Sequence, residues 1–512
     1  MARHRVWNLA EKDTKIKKIK LMRKLLLLLL IVILPLATPA HVNSPDVYFD
    51  GFAGPYHLLV TVKAPAVVPG IAQIEIRSAD KDVERIEVLP LKMVGIGARL
   101  APSADAAQRS ASDPQAYHGQ LWIMARGSWK VQITAQGARG KGELAVPLPA
   151  TSTNTPGMQK ALGILLSLLG LALIAGMVGI VGAAGREADL TPGQQPEPQR
   201  KKRGHVREVI AAVLVISMVA VGDRWWRAEA ATNARLNYRV PHVQTELQPG
   251  NVLRLQLDNP NLAEKNRFNF LAPDAIVMDD LVPDHNHIVH LFLVRMPDMK
   301  SFWHLHPEQT GEAQFSQSLP ALPAGHYRVY ADIVHANGFP ETQINEIDLP
   351  AISGKPLAGD DSGFADSGAA EDSPGKQATA QLADGYRMVW EQDGAPLKAR
   401  QANWFRFLLE DKDGKPAQEL ENYMGMAGHA VFMCNDGNVF AHIHPAGSVS
   451  MAAVSIAEGM PPQHNMSGMT PKSLYNEVSF PYGFPRPGDY HIFVQMKRAG
   501  RVETGVFSAH VK

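Results

Sequence analysis

The chain of 512 residues is long enough for several domains, and its 51 basic residues almost balance its 50 acidic ones, which argues against a nucleic-acid partner. A single cysteine, Cys434, excludes an internal disulfide framework. Charge and hydropathy are concentrated locally, and they divide the chain.

Residues 1–40 begin rich in Lys and Arg, run into "LLLLLLIVILPL" and end in "ATPA", the pattern of a secretory signal. Met22 starts a signal of ordinary proportions, with cleavage expected after Ala40; an uncleaved N-terminal anchor is the alternative. Residues 41–150 carry "PYHLLVTVKA", "IAQIEIRS", "QLWIMA" and "SWKVQITA", which predict strands of a β-sandwich, with residues 101–116 as a loop. Residues 158–184 are almost wholly apolar and long enough to cross a hydrocarbon core of about 30 Å. A basic loop, 185–205, and a second span, 206–224, follow. Arg200, Lys201, Lys202, Arg203 and Arg207 place that loop on the cytoplasmic side, and Trp225 and Trp226 suit an interfacial belt on the other. In a bacterium this is a protein of the inner membrane, with its N- and C-terminal parts in the periplasm.

The exported C-terminal half contains a repeat. "HNHIVHLFLVRMPDMKSFWHLHPE", from His285, matches "GHAVFMCNDGNVFAHIHP", from Gly428, so that His290 corresponds to His429, His304 to His442 and His306 to His444. "LPAGHYRVYADI" likewise matches "PRPGDYHIFVQM". The two copies span 229–350 and 381–512, joined by residues 351–380, whose Gly, Ser, Ala and Asp predict a flexible tether. The fold expected is all-β: three immunoglobulin-like or cupredoxin-like β-sandwich domains, with two transmembrane helices between the first and the second.

Asp436-Gly437 predicts a two-residue hairpin turn. Val431 then faces His442, Met433 faces Phe440 and His429 faces His444, which puts His429, His442 and His444 on one face. Cys434 falls on the opposite face with Phe432, Ala441 and Ile443, as a buried small hydrophobe. Three imidazoles on one face, repeated in a second domain, point to metal binding. Ahead of His290 stand His285 and His287; at the matching places in the second copy stand Met424 and Met426. Imidazole suits copper and zinc, whereas thioether selects Cu(I). The expectation is a harder site from His290, His304 and His306 with His285 or His287, and a Cu(I) site from His429, His442 and His444 with Met424 and Met426. A second-copy insertion adds Met451, Met460, His464, Met466 and Met469 as further candidate ligands. Cleavage after Ala40 would expose His41 as an N-terminal copper chelate, with His57 or Asp46 to complete it. His326, His335, His491 and His510 do not recur at matched positions and read as ordinary residues. No nucleophile or general base accompanies either hairpin, so an enzyme is not the reading favoured.

"MGMAGHAVF", "DGNVFAHIHPAGSVSMA", "LPAGHYRVYADI" and, in the N-terminal domain, "GPYHLLVTVKAP" resemble YtkA-like, FixH-like and CopC-type exported bacterial β-sandwich domains. The CopC-type resemblance implies copper binding through an N-terminal histidine and Met-rich stretches, to which His41 and the Met-rich insertion correspond. The functions expected are copper sequestration, delivery or resistance, with a membrane copper transporter or a cuproenzyme as partner. A zinc-binding periplasmic protein and a metal-free envelope scaffold are the alternatives.

Overall fold

The computed structural model describes residues 46–94, 101–155, 157–191, 193–235, 237–258, 280–365, 369–370, 377–392, 394–418, 420–461 and 476–512. The signal segment 1–40, His41, His464, Met466 and Met469 lie outside them. Six sheets form three two-sheet sandwiches, each around its own apolar core, and two long apolar helices separate the first from the second.

In the N-terminal sandwich, strands Val47–Ala53, Tyr56–Lys63, Gly70–Ser78 and Ala116–Ile123 face strands Val83–Lys92, Gly127–Gly137 and Gly140–Ala150. Alternation dictates this: Leu58, Val60, Val62, Ile74 and Ile76 point into the core at every second position. The 101–116 segment is not wholly loop, because Asp105–Ala106 and Gln108–Arg109 add two short edge strands.

The helices are Lys160–Glu187 and Pro198–Arg235, and their apolar side chains face outward, as a lipid environment requires. The basic loop is shorter than expected: Arg200 to Arg203 already lie in the second helix, which continues to Arg235. Close approach of the helices occurs at Gly182, Gly185 and Gly204, where a Cβ would overlap Glu208, Arg207 and Arg186. Gly170, Gly176 and Gly179 have open space beside them.

The two repeats share one plan. Strands His290–Met296 and Phe302–Leu305 of the first match His429–Cys434 and Phe440–Ile443 of the second, each pair lying beside a long strand, Gly325–His335 or Gly488–Arg498. Tyr327 and Tyr490 each donate to the carbonyl four residues upstream, of Pro323 at 2.6 Å and Arg486 at 2.9 Å. Val431 pairs with His442 and Met433 with Phe440, in the register expected. The turn differs in detail: Cys434 N–H donates to Val439 O, and Gly437, at φ 70°, closes the loop onto Cys434 O. Cys434 is buried in the core of its sandwich, near Phe432, Ala441 and Ile443.

The opposite faces of the two hairpins pack against each other. Phe292, Val294, Phe302 and Tyr330 of the first repeat join Val431, Met433, Phe440 and Phe493 of the second in a separate core between the sandwiches. Tyr330 stacks on Phe440 at 4.0 Å and Phe302 on Phe493 at 4.4 Å. Parts of the 351–380 tether are fixed: Ser362–Phe364 forms a strand beside Phe302–His304, and Ala370 pairs with Phe507 of the second repeat. Composition suggested flexibility there, but Gly363 lies flat on Trp303, where a Cβ would come within 2.2 Å of Cδ1.

Candidate metal centre

His290, Phe292 and Val294 project from one face of their strand, as do His429, Val431 and Met433, by the two-residue period of a strand. The apolar members of each set build the core between the repeats, so the histidines at the strand ends are drawn into the same interface. Eight histidines converge there. This corrects the expectation of one site in each repeat: His285 of the first repeat lies with His429 and His444 of the second, and His290, His304 and His306 form a second triad. Within each triad one ligand nitrogen per residue lies within 4.8 Å of the others. His442 belongs to neither triad. Its ring is 5.4 Å from those of His290, His304 and His429, and 4.6 Å from that of His444. His287 stacks on His306 at 3.8 Å.

His285 reaches the second repeat from a tight turn in which Asp284 and His287 exchange backbone hydrogen bonds, with His285 at φ 50° and Asn286 at φ 70°. Tyr423 and Met426 close an identical turn, with Met424 at φ 50° and Gly425 at φ 81°. Met424 and Met426 therefore do occupy the structural places of His285 and His287. Met424 is buried and Met426 half-buried, but the group closing the second triad is His285.

The hydrogen bonds fix most of the ring tautomers. His444 Nδ1–H donates to Val449 O at 3.1 Å, His306 Nδ1–H to Asp361 Oδ1 at 3.0 Å, and His442 Nδ1 faces Asp332 Oδ2 at 3.4 Å. The Val449 carbonyl has no proton to offer, so Nε2 of His444 carries a lone pair, and Nε2 of all three rings is buried without a partner. Both ring nitrogens of His285 and of His429 are also buried without a partner. His290 donates through Nε2 to Asp284 O at 3.1 Å, which leaves a lone pair on Nδ1. His304 Nδ1 lies 3.0 Å from Gln495 Oε1 and 3.3 Å from the Tyr423 hydroxyl. His290 Nδ1 and His304 Nε2 face each other at 3.0 Å, close enough to share one proton or one metal ion.

Burial holds the imidazoles neutral. It lowers His290 to about 3, and lowers His285, His304, His306, His429 and His442 well below the usual histidine range, with neighbouring imidazoles adding to the effect. Burial lowers His444 as well. Neutral imidazole is the form that binds a metal. Four aspartates stand behind the rings. Besides Asp332 and Asp361, Asp360 lies 3.5 Å from His287 Nε2, and Asp284 accepts from Ala452 N–H at 2.8 Å. Burial raises Asp332 to about 7 and also raises Asp361, whereas the bond from His287 lowers Asp360. These carboxylates, Gln495 and Tyr423, whose hydroxyl donates to Asp360 O at 2.8 Å, were missed from the sequence. Asp360-Asp361 sits in the segment read as a tether, and only its two adjacent acids beside a repeat of histidines offered a signal.

The remaining candidates do not join the cluster. Met451 lies on the helix Met451–Ala457 and packs on the core of the N-terminal sandwich, together with Val449 and Val454. This part of the insertion is a docking element: Tyr48 N–H donates to Ser448 Oγ, Asp50 N–H to Ala446 O, and Lys130 to Ala457 O. Met460 follows the helix and is exposed. His57 is paired with Asp50, and Asp46 with Arg400 at 3.2 Å. His326, His491 and His510 bond Asp348, Asn435 and Asp489, and His335 is buried between Asp280 and Glu341.

Residues 379–512 match the model of a family described as a domain of unknown function, DUF8832. Comparison with curated protein sequences returned no match. Among solved structures, an engineered protein is 13% identical over 18% of this chain and 20% of its own, with a TM-score of 0.15, so the chain spans about a fifth of that protein. A bacterial ice-binding adhesin is 6% identical over 89% of this chain and 98% of its own, with a TM-score of 0.15. E. coli alpha-2-macroglobulin is 9% identical over 92% of this chain and 23% of its own, with a TM-score of 0.21.

Proposed function

We propose that this protein is a membrane-anchored copper-binding protein that sequesters copper between its two C-terminal repeats. The single observation that carries this reading is the buried triad of His290, His304 and His306, whose ligand nitrogens lie within 4.8 Å of one another, with His290 Nδ1 3.0 Å from His304 Nε2. A metal ion held by these two rings would take His306 Nε2 as a third donor, with the Nδ1 proton of that ring anchored on Asp361. His285, His429 and His444 offer a second all-imidazole set. Nitrogen donors without thiolate accommodate both copper oxidation states, and Met424 places a soft thioether donor in the turn that matches the one bearing His285.

The two apolar helices anchor the protein, and their basic connection, by the positive-inside rule, faces the cytoplasm. All three sandwiches then lie on the periplasmic side of a bacterial inner membrane, where a membrane copper transporter or a cuproenzyme is the partner expected. The likeness to YtkA-, FixH- and CopC-type domains belongs to the same proposal.

The test is competition titration of the full chain in detergent with Cu(I), Cu(II) and Zn(II). Copper binding that is weakened or reduced in stoichiometry in the joint His290→Ala and His304→Ala variant, with the variant still folded, supports the reading. A preference for zinc keeps the site and changes the metal. Absence of binding to all three refutes it and leaves a metal-free envelope scaffold.

A further inference from the structure

We infer that the eight-histidine cluster holds a pair of copper ions that act as one two-electron centre, with dioxygen as the substrate class; this rests on the copper reading above. Three observations carry it. The donors fall into two triads rather than one set, and neither triad contains a carboxylate or a cysteine. Three protein ligands leave an open position on each ion.

The triads are also joined. The ring of His285 lies 6.3 Å from that of His290, and the ring of His304 lies 6.4 Å from that of His429, while the ring of His442 lies 5.4 Å from those of His290 and His429 with its Nε2 unpartnered. Because His285 comes from the first repeat and His429 and His444 from the second, the second ion forms only where the repeats dock. The first ion lies in that same interface and helps to order it, so the two bind cooperatively.

Charge gives the third observation. Asp284, Asp332, Asp360 and Asp361 surround the neutral imidazoles without occupying a place in either triad. They place acidic groups on several sides of the cluster, with Lys497 at 3.7 Å from Asp360, so that the charge of bound cations is offset without a carboxylate ligand. Two adjacent Cu(I) ions can give one electron each to a single dioxygen molecule: 2 Cu(I) + O2 + 2 H+ yields 2 Cu(II) + H2O2. Both electrons come from the metals, both protons come from solvent, and the O–O bond is kept.

The experiment loads the full chain in detergent with Cu(I) under anaerobic conditions and then mixes it with dioxygen. Two copper ions per chain, cooperative loading, one hydrogen peroxide per pair in a single kinetic phase, and a Cu(II) spin count well below two per chain are expected. His285→Ala should retain one ion with full spin intensity and release superoxide, detected with a superoxide trap, where the paired centre releases none. Two bound ions that oxidise independently with full spin intensity would overturn the inference while leaving the copper reading intact. A chain that binds no copper would instead remove the reading beneath it. The wild-type spin count and the absence of trapped superoxide decide the question even if the variant fails to fold.

Discussion

Replacing Asp361 by Asn separates metal binding from folding. Oδ1 of Asp361 accepts from the backbone N–H of His306 at 2.9 Å and from its Nδ1 at 3.0 Å, while Oδ2 accepts from Gln317 at 3.1 Å. The amide oxygen of Asn keeps both bonds to His306, so the ring stays aimed and only the charge behind it is lost. Such partners of metal-bound histidines contribute about 10–100-fold to affinity, or about 1.4–2.7 kcal/mol. In the metal-free protein the accounting differs. The bond to Gln317 is lost at a cost of about 1 kcal/mol, but burial penalises the Asp361 charge, and removing it offsets that cost. Copper affinity, measured by competition, should fall about 10–100-fold, while denaturant unfolding of the metal-free protein shifts by less than about 1 kcal/mol. Affinity within threefold of wild type, or an equal loss in both measurements, would refute the role given to this carboxylate.

Gly363→Ala should give the contrasting pattern: its Cβ would come within 2.2 Å of the buried Trp303, and the resulting overpacking costs about 1–3 kcal/mol and shifts Asp360-Asp361, so stability and copper affinity fall together in the same two assays. Phe292 stacks on His304 at 4.2 Å and meets Phe440 at 5.1 Å, so Phe292→Ala should cost about 3–5 kcal/mol in denaturant unfolding. For His335, burial opposes the charged form, but Asp280 and Glu341 outweigh it and raise the folded pKa from 6.5 to about 9. A raised histidine stabilises fully below its unfolded pKa and loses that stability as pH rises through the folded one. Unfolding free energy should therefore drop by roughly 3 kcal/mol between pH 6.5 and 9.5, and His335→Gln should lose that pH dependence.

Much of this was legible in the sequence because it is local. Strand alternation placed His429, His442 and His444 on one face, and the hairpin register followed from the turn residues. The match of His285 with Met424 was visible by counting, and both residues take the same left-handed turn position. The meeting of the two repeats was not legible, because periodicity tells which residues share a face and not what covers it. A clue was present: Phe292, Phe302 and Phe440 share the histidine face, and a strand apolar on both faces is covered on both. The tether misled for a physical reason, since Gly, Ser and Asp mark flexible chain when unpartnered. Here Gly363 allows backbone to lie on Trp303, and Asp360 and Asp361 find histidines.

The interface explains why two repeats build what one cannot. In a single repeat the histidine face would leave Phe292, Phe302 and Tyr330 exposed beside the imidazoles, and burying those aromatic rings drives the two faces together. The same docking strips water from ring nitrogens whose lone pairs then lack partners, a cost of about 1–3 kcal/mol for each such group. Apolar packing at one end of the interface thus holds an unfavourable polar arrangement at the other. On the proposed reading a metal ion would relieve that arrangement, its binding energy would add to the docking of the repeats, and occupancy of the centre and closure of the interface would become one equilibrium.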